Sequence, residues 1–290
     1  MAYRSILRDG CFAGETHLVM GGGSGIGRCI AHELASLGAH VIVTGRKQEK
    51  LDQVVGEIAE DGGSAEGYAF DIRDEEAVKA AVAAIVERRG RIHGLVNNAG
   101  GQFPAPLGAI SKKGFEAVVA NNLTGGFLVM RETYVQSMQA HGGAVVNMAA
   151  DMWRGMPGMA HSGAARAGMV NLTKSAAYEW APAGVRINCV APGWIASSGM
   201  DTYEGRTREL IPKLREHVPL GRIGVEAEVS SVVCFLLSPA ASFVTGITVP
   251  IDGGAPLGSA LYPIKPGRAP APFDGFHRAT TPDVLSGEAG

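Results

Sequence analysis

The chain is poor in the residues that mark several large protein classes. Aromatic residues make up only 6% of it, and only four of its 290 residues are cysteine. Cys11, Cys29, Cys189 and Cys234 show no paired spacing, and the last three fall inside apolar helix or strand patterns. They read as buried thiols, which excludes a disulfide or cysteine–metal framework. The eight histidines also lack ligand spacing, so no metal site is expected. A formal net charge of −2 leaves no basic footprint, and nucleic acid is not an expected partner. No apolar run is long enough to span a bilayer, and the opening MAYRSILRDGCFAGE lacks a hydrophobic signal region. The last residues, Gly287-Glu-Ala-Gly290, are not a peroxisomal address. A reduced, soluble, cytoplasmic protein without a membrane partner is therefore expected.

What the chain has is apolar material and glycine. Hydrophobic residues reach 46%, charged residues 19%, and glycines number 41. The organising stretch is Leu18-Val-Met-Gly-Gly-Gly-Ser-Gly-Ile-Gly27. An apolar run from Thr16 to Met20 ends in glycines, and a helical pattern with Ile26, Ile30, Leu34 and Leu37 begins at once. Strand, glycine turn and helix in this order make the phosphate-binding opening of a dinucleotide fold. Glycine lets the chain turn tightly and brings bare N–H groups to an anion, while the helix N-terminus adds partial positive charge.

The same alternation continues. Val41–Thr44, Glu66–Phe70, Gly94–Val96, Ala144–Met148, Arg186–Val190 and Ile247–Ile251 read as strands. Helical patterns run through Leu51–Ile58, Val78–Val86 (with Asp74 as N-cap), Phe115–Ala140, Gly158–Trp180 and Glu226–Leu237. The helix over Phe115–Ala140 is expected to be interrupted around Gly125-Gly126. This rhythm predicts an α/β Rossmann fold: one domain with a doubly wound, parallel, seven-stranded sheet covered by helices on both faces. Residues 14–254 form that domain, after an N-terminal extension over 1–13. A proline-rich tail follows over 255–290, with Pro256, Pro263, Pro266, Pro270, Pro272 and Pro282. Those prolines rule out regular helix, so the tail is extended, disordered or draped over another subunit. Its aromatics Tyr262, Phe273 and Phe276 favour docking. The mixed segment 193–225 has the character of a lid over a ligand.

Gly21-Gly-Gly-Ser-Gly-Ile-Gly27, Asp71, Asn97-Asn-Ala-Gly100, Asn121-Asn-Leu-Thr-Gly125, Val190-Ala-Pro-Gly193 and Val249–Gly254 occur in one order and spacing. Together they resemble the short-chain dehydrogenase/reductase family over nearly all of Gly14–Gly254. The resemblance implies that Gly21, Ser24, Gly25, Ile26 and Gly27 surround a cofactor pyrophosphate. It implies that Asp71 and Ile72 face the adenine, and that Asn98, Ala99 and Gly100 line the dinucleotide. Pro192, Gly193, Ile195 and Ser197 would border the nicotinamide. The second strand ends in Gly45-Arg46 rather than in an acid. An acid there would accept from a ribose 2′-hydroxyl, whereas a guanidinium can hold a 2′-phosphate, so NADPH/NADP is expected over NAD. Arg46 as a solvated surface residue is the plainer alternative.

The catalytic positions depart from the family. Its proton donor is a tyrosine four residues before a lysine, assisted by a serine at the preceding strand end. In His161-Ser-Gly-Ala-Ala-Arg166, Ser162 takes the tyrosine's place and Arg166 the lysine's, and Ala150 replaces the helper serine. Asn122, the family's water-holding asparagine, is kept. A serine hydroxyl is a far poorer proton donor than a phenol whose pKa a lysine has lowered.

His161–Gly168 with Asn171-Leu-Thr-Lys174, Arg186–Gly193, Val229–Ser242 and Gly100-Gly-Gln-Phe103 are similar to the peroxisomal trans-2-enoyl-CoA reductases. The related 2,4-dienoyl-CoA reductases also dispense with the usual tyrosine. One position differs: a tyrosine four residues before the Asn-Leu-Thr-Lys lysine is Val170 here, either a lost chemical group or an ordinary core substitution. Adding hydride to the β-carbon of a 2-enoyl thioester leaves an enolate spread onto the thioester oxygen. Such a site mainly needs donors aimed at that oxygen. Asn122 and Ser162 would then position water or that oxygen, and Arg166 would grip the ribose and count with them as catalytic.

Asp151, Trp153 and Trp194 lie on loops that can face a substrate; a solvated loop acid is the plainer reading of Asp151, and packing of the rim is the alternative for Trp153 and Trp194. Arg206, Arg208, Lys213 and Arg215 fit a solvated helix face better than a CoA site. The expected partner is a small acyl-CoA substrate. An alcohol or ketone dehydrogenase acting on a lipid or terpenoid, and a cofactor-binding pseudoenzyme, stay open. Family resemblance also implies a homo-oligomer, dimer or tetramer, packed through the helices over Phe115–Ala140 and Gly158–Trp180.

Overall fold

The apolar runs read from the sequence come together as parallel strands: β1 (Thr16–Met20), β2 (His40–Gly45), β3 (Ser64–Ala69), β4 (Gly94–Asn97), β5 (Gly143–Met148) and β6 (Val185–Pro192). Two short strands, β7 (Ile195–Ala196) and β8 (Gly224–Val225), pair with each other in the segment after β6. The last strand, β9 (Thr248–Ile251), closes the main sheet in the order β3-β2-β1-β4-β5-β6-β9. The computed structural model describes residues 2–257, 263–264, 267 and 269–288. Strand order reverses between β1 and β4, and the crevice at such a reversal is where open α/β sheets bind ligands.

Both sheet faces are covered, as the near-continuous apolar strands require. Helices α1 (Gly25–Ser36) and α2 (Gln48–Glu60) pack on one face. There Ile30, Leu34, Leu51, Val54 and Ile58 meet Val19, Val41, Val43 and Val96. Helix α3 (Glu75–Arg89) covers the other face, where Val78, Val82 and Ile85 meet Leu18, Met20, Ile42 and Leu95. Val19 on one face, with Leu18 and Met20 on the other, is the two-residue alternation of a strand. Asp74 caps α3 as expected, its carboxylate accepting from the Ala77 N–H at 3.1 Å.

Three expectations are refined by packing. Strand β3 starts at Ser64 rather than Glu66, because its register with β2 begins at the His40–Ser64 pair. The helix from Lys112 to His141 changes pitch close to Gly125-Gly126, where the expected interruption is a π-helical turn ending at Thr124 rather than a stop. It runs as α4 (Lys112–Val119), α5 (Gly125–Thr133) and α6 (Gln139–His141), joined by π-helical turns at Ala120–Thr124 and Tyr134–Met138. Gly126 is there for close approach: a methyl group would lie 2.7 Å from Met169 Cε and 2.9 Å from Asn97 Nδ2. Helix α7 (Ala160–Trp180) packs beside it, starting two residues later than expected.

The segment expected to be a lid holds a 3₁₀ turn at Ser198–Thr202, helix α8 (Gly205–Leu210) and a second 3₁₀ turn at Ile211–His217. Helix α9 (Glu226–Leu237) then returns to the first face beside α1.

The described part of the tail docks on its own chain, as its aromatics suggest. Phe276 is 2% exposed and packs with Tyr3, Cys29 and Ala227, and the Arg28 guanidinium lies 5.1 Å from its ring centroid. Arg278 bridges Glu60 and Asp61 at the C-terminal end of α2. Asp201 in the lid accepts from the N–H groups of Asp283 and Val284, where a short 3₁₀ turn spans Asp283–Glu288. Phe273 is half-buried against Phe276's cluster, while Tyr262 and Pro266 lie outside the described residues.

Candidate active site

A cavity of about 610 Å³ opens over the C-terminal ends of β1, β4, β5 and β6. The glycine turn forms its floor. Gly21 and Gly25 hold φ of 69° and 55°, a region L side chains rarely adopt. A methyl group at Gly27 would collide with the Gly21 carbonyl oxygen and with Asn98 Nδ2. Asn98 holds the turn from the neighbouring strand end, donating to the Met20 carbonyl at 3.1 Å. Ser24 is the N-cap of α1, and its hydroxyl makes no capping bond, so hydroxyl and helix N-terminus both face the cavity. This cradle fits a diphosphate.

Gly45, Arg46, Asp71 and Ile72 line one end, with Lys47, Lys50, Leu51 and Phe70. Asp71 is clasped by Arg73 at 2.9 and 3.1 Å. That clasp, aided by Arg46, outweighs its burial and holds its carboxyl down at about 2. Lys47 and Lys50 were missed by the motif reading, although the helical start after Arg46 places both near the end of β2. Three cations at a strand end without an acid suit a 2′-phosphate.

At the other end lie Asn98, Ala99, Gly100, Gly101, Gln102, Met148, Ala149, Ala150, Arg166, Pro192, Gly193 and Ser197. Arg166 Nη1 donates to the Met148 carbonyl at 2.6 Å, and burial pulls its guanidinium down to about 10. Its Nη2 and Asn122 Oδ1 each lie 2.5 Å from where a Gly100 side chain would begin, so only glycine fits there.

The three residues expected to be catalytic thus converge, but at different depths. Arg166 reaches the cavity wall. Asn122 is buried beneath it, donating to the Gly101 and Val118 carbonyls and accepting from the Gly101 N–H. Ser162 is fully buried, and its hydroxyl donates to Gln102 Oε1 at 2.5 Å. Asn122 and Ser162 therefore meet the cavity through Gly101 and Gln102.

Other expected positions resolve differently. The Ile195 side chain does not border this cavity; it turns into the core, with Val190 and Val229 in the same cluster. Val170 packs in a small apolar cluster with Ala149, Cys189 and Ala191, a core position in which valine is an ordinary residue. Asp151 and Trp153 do not line the cavity, and Trp194 borders a second, more apolar one of about 520 Å³. Burial, and then the nearby Asp252, raise the Asp151 carboxyl above its usual range. Gln102 lies in the Gly100-Gly-Gln-Phe103 string without a role being expected of it, and Thr202 and Tyr203 from the lid belong to no motif; only the fold brings them to the wall. Among the described residues no cluster could hold a metal ion, and no helix is long and apolar enough to cross a membrane.

With this geometry, the chain's relatives are informative. A family model described as enoyl-(acyl carrier protein) reductase matches residues 21–256. A probable 2,4-dienoyl-CoA reductase of Bacillus subtilis is 35% identical over 82% of this chain and 94% of its own. The chain belongs to the short-chain dehydrogenase/reductase family, and it has that family's oxidoreductase fold and nicotinamide dinucleotide site. Among solved structures, a citronellol catabolism dehydrogenase (AtuB) of Pseudomonas aeruginosa PAO1 is 62% identical, with a TM-score of 0.80, covering 87% of this chain and 99% of that one. A putative NAD(P)-dependent gluconate 5-dehydrogenase of Beutenbergia cavernae with bound NADP is 34% identical. Its TM-score is 0.81, over 87% of this chain and all of that one.

Proposed function

We propose that this protein is an NADP-dependent reductase of a carbon–carbon double bond conjugated to an acyl thioester, of the 2-enoyl- or 2,4-dienoyl-CoA kind. One observation carries the reading. The tyrosine–lysine pair needed to protonate an alkoxide is replaced by a buried serine, engaged with Gln102, and an arginine anchored to the Met148 carbonyl. The wall offers amide and guanidinium donors, which suit an oxygen that gains charge without needing a strong acid beside it.

A bound dinucleotide would supply the hydride. Arg46, Lys47 and Lys50 would hold the 2′-phosphate, and Ser24 with the N-terminus of α1 the diphosphate. Arg166 would grip the ribose and, through its fixed position, hold the nicotinamide end of the cavity. Asn122 keeps the Gly101 backbone in place beside it. The dienoyl-CoA reductase of Bacillus subtilis supports the substrate class.

A second reading is favoured by the 62% identical citronellol catabolism dehydrogenase: oxidation of an acyclic terpenoid alcohol such as citronellol. The two readings separate in one assay. NADPH loss is followed with crotonyl-CoA, longer trans-2-enoyl-CoAs and a 2,4-dienoyl-CoA, and NADP reduction is followed with citronellol. Turnover confined to citronellol would replace the first reading with the second. Tight NADPH binding without any turnover would indicate a pseudoenzyme.

We further propose a homo-oligomer, dimer or tetramer. Phe115, Phe127, Val135 and Tyr178 are exposed on or between α4, α5 and α7, and Tyr178 is 86% exposed. A monomer by light scattering would remove this.

A further inference from the structure

Ser162 at the start of α7, Gln102 in the loop after β4, and Tyr203 in the lid form a hydrogen-bonded chain. The two ends are 41 residues apart in sequence, and both are distant from Gln102. The buried Ser162 hydroxyl donates to Gln102 Oε1 at 2.5 Å. That sets the amide: Nε2 points away from Ser162 and donates to Tyr203 Oη at 3.2 Å. Tyr203 is therefore an acceptor in this chain, and its own O–H remains to donate elsewhere. Among the described residues that hydroxyl makes no other hydrogen bond. Gln102 and Tyr203 both line the cavity, beside Gly101, Gly193 and Ser197 at the end assigned to the nicotinamide.

We propose that Tyr203 is the hydroxyl that donates to the carbonyl oxygen of the substrate, oriented by Gln102 and through it by Ser162. The inference rests on the thioester reading above. Hydride from the bound dinucleotide adds to the β-carbon, charge grows on the thioester oxygen, and a phenol O–H fixed in advance stabilises it without transferring its proton; the α-carbon then takes its proton from water, which closes the reduction. Tyr203 then does from the lid part of what a hydroxyl on α7 does elsewhere in the family. Ser162 is a positioning residue: it decides which way the Gln102 amide faces and hence which way the phenol O–H is left to point.

The test is steady-state kinetics with NADPH and a trans-2-enoyl-CoA, with NADPH affinity measured separately by nicotinamide fluorescence. Tyr203→Phe is expected to lower kcat about a hundredfold, the cost of removing one such donor, with NADPH affinity unchanged. Gln102→Leu, at an exposed position, tests the same chain without touching the core and is expected to lower kcat in the same direction. Ser162→Ala is expected to lower kcat alone but to add nothing in the Tyr203→Phe background, because it acts only through that phenol. Unchanged kcat in Tyr203→Phe, or additive losses in the double variant, would overturn the inference and leave the thioester reading standing. An absence of wild-type turnover on every unsaturated thioester would remove both.

Discussion

Glu226 offers a test that joins the glycine turn to pH. It is the first residue of α9, and its Oε1 lies 3.8 Å from where a side chain on Gly25 would begin, a point that Ser197 Cβ approaches to the same distance. Among the described residues it makes no hydrogen bond or ion pair. Burial raises its carboxyl from the ordinary 4.5 to about 7, against a smaller opposing pull from Arg28. Folding therefore favours the protonated form. The native state is free of this penalty below the unfolded value, and stability is lost as pH rises through the folded value. At 1.36 kcal/mol per tenfold change in proton affinity, the loss above pH 7 is up to about 3 kcal/mol. Glu226→Gln removes the charge. It should raise Tm by about 5 °C at pH 8 and hardly at all at pH 4.5, where the wild-type carboxyl is already neutral. A carboxylate beside the diphosphate cradle also repels the cofactor, so wild-type NADPH affinity should fall between pH 6 and 8 and the variant's should fall less. Thermal melts and fluorescence titrations across pH 4.5–8 decide it. A gain in Tm equal at both pH values, or wild-type and variant NADPH affinities that run in parallel with pH, would refute the reasoning.

Further expectations follow from the same geometry. Arg46→Ala should lower NADPH affinity by roughly tenfold, the loss of one charge-assisted contact, and leave NADH affinity nearly unchanged; equal losses for both cofactors would contradict a 2′-phosphate role. Gly27→Ala should abolish binding of either cofactor while the chain still folds, judged by fluorescence titration beside circular dichroism, because the methyl group collides with Gly21 and Asn98. Phe276→Ala removes a side chain whose burial elsewhere is worth about 3–5 kcal/mol. Since the tail can release alone, limited proteolysis should cut it first, with a smaller change in Tm.

Much of the architecture was legible because it is written in local patterns. Val41–Thr44 is a β-branched run and Ala144–Met148 an apolar one broken only by Asn147, both of strand length, and the glycine turn sits between a strand and a helix. Gly126 shows where local reading stops. Glycine is a poor helix former, and only the approach of Met169 and Asn97 explains why it stays in the helix. The substituted family motif pointed to Ser162 and Arg166, but their depth depends on side chains distant in sequence. Gln102 stands between Ser162 and the cavity, and no spacing rule links them. Tyr203 and Glu226 belong to no motif, and their roles arise where the lid and α9 meet the glycine turn. The tail's aromatics pointed to docking but not to where: Phe276 finds its partners Tyr3 and Cys29 some 250 residues away.

The central claim is that hydride reaches the β-carbon of an unsaturated thioester in this site. Incubation with stereospecifically deuterated NADPH and a trans-2-enoyl-CoA, followed by mass spectrometry of the product, tests it most directly. One deuterium at C3 of a saturated acyl-CoA is the predicted result. Unlabelled, unreduced thioester, with NADP reduced only when citronellol is supplied, would contradict it.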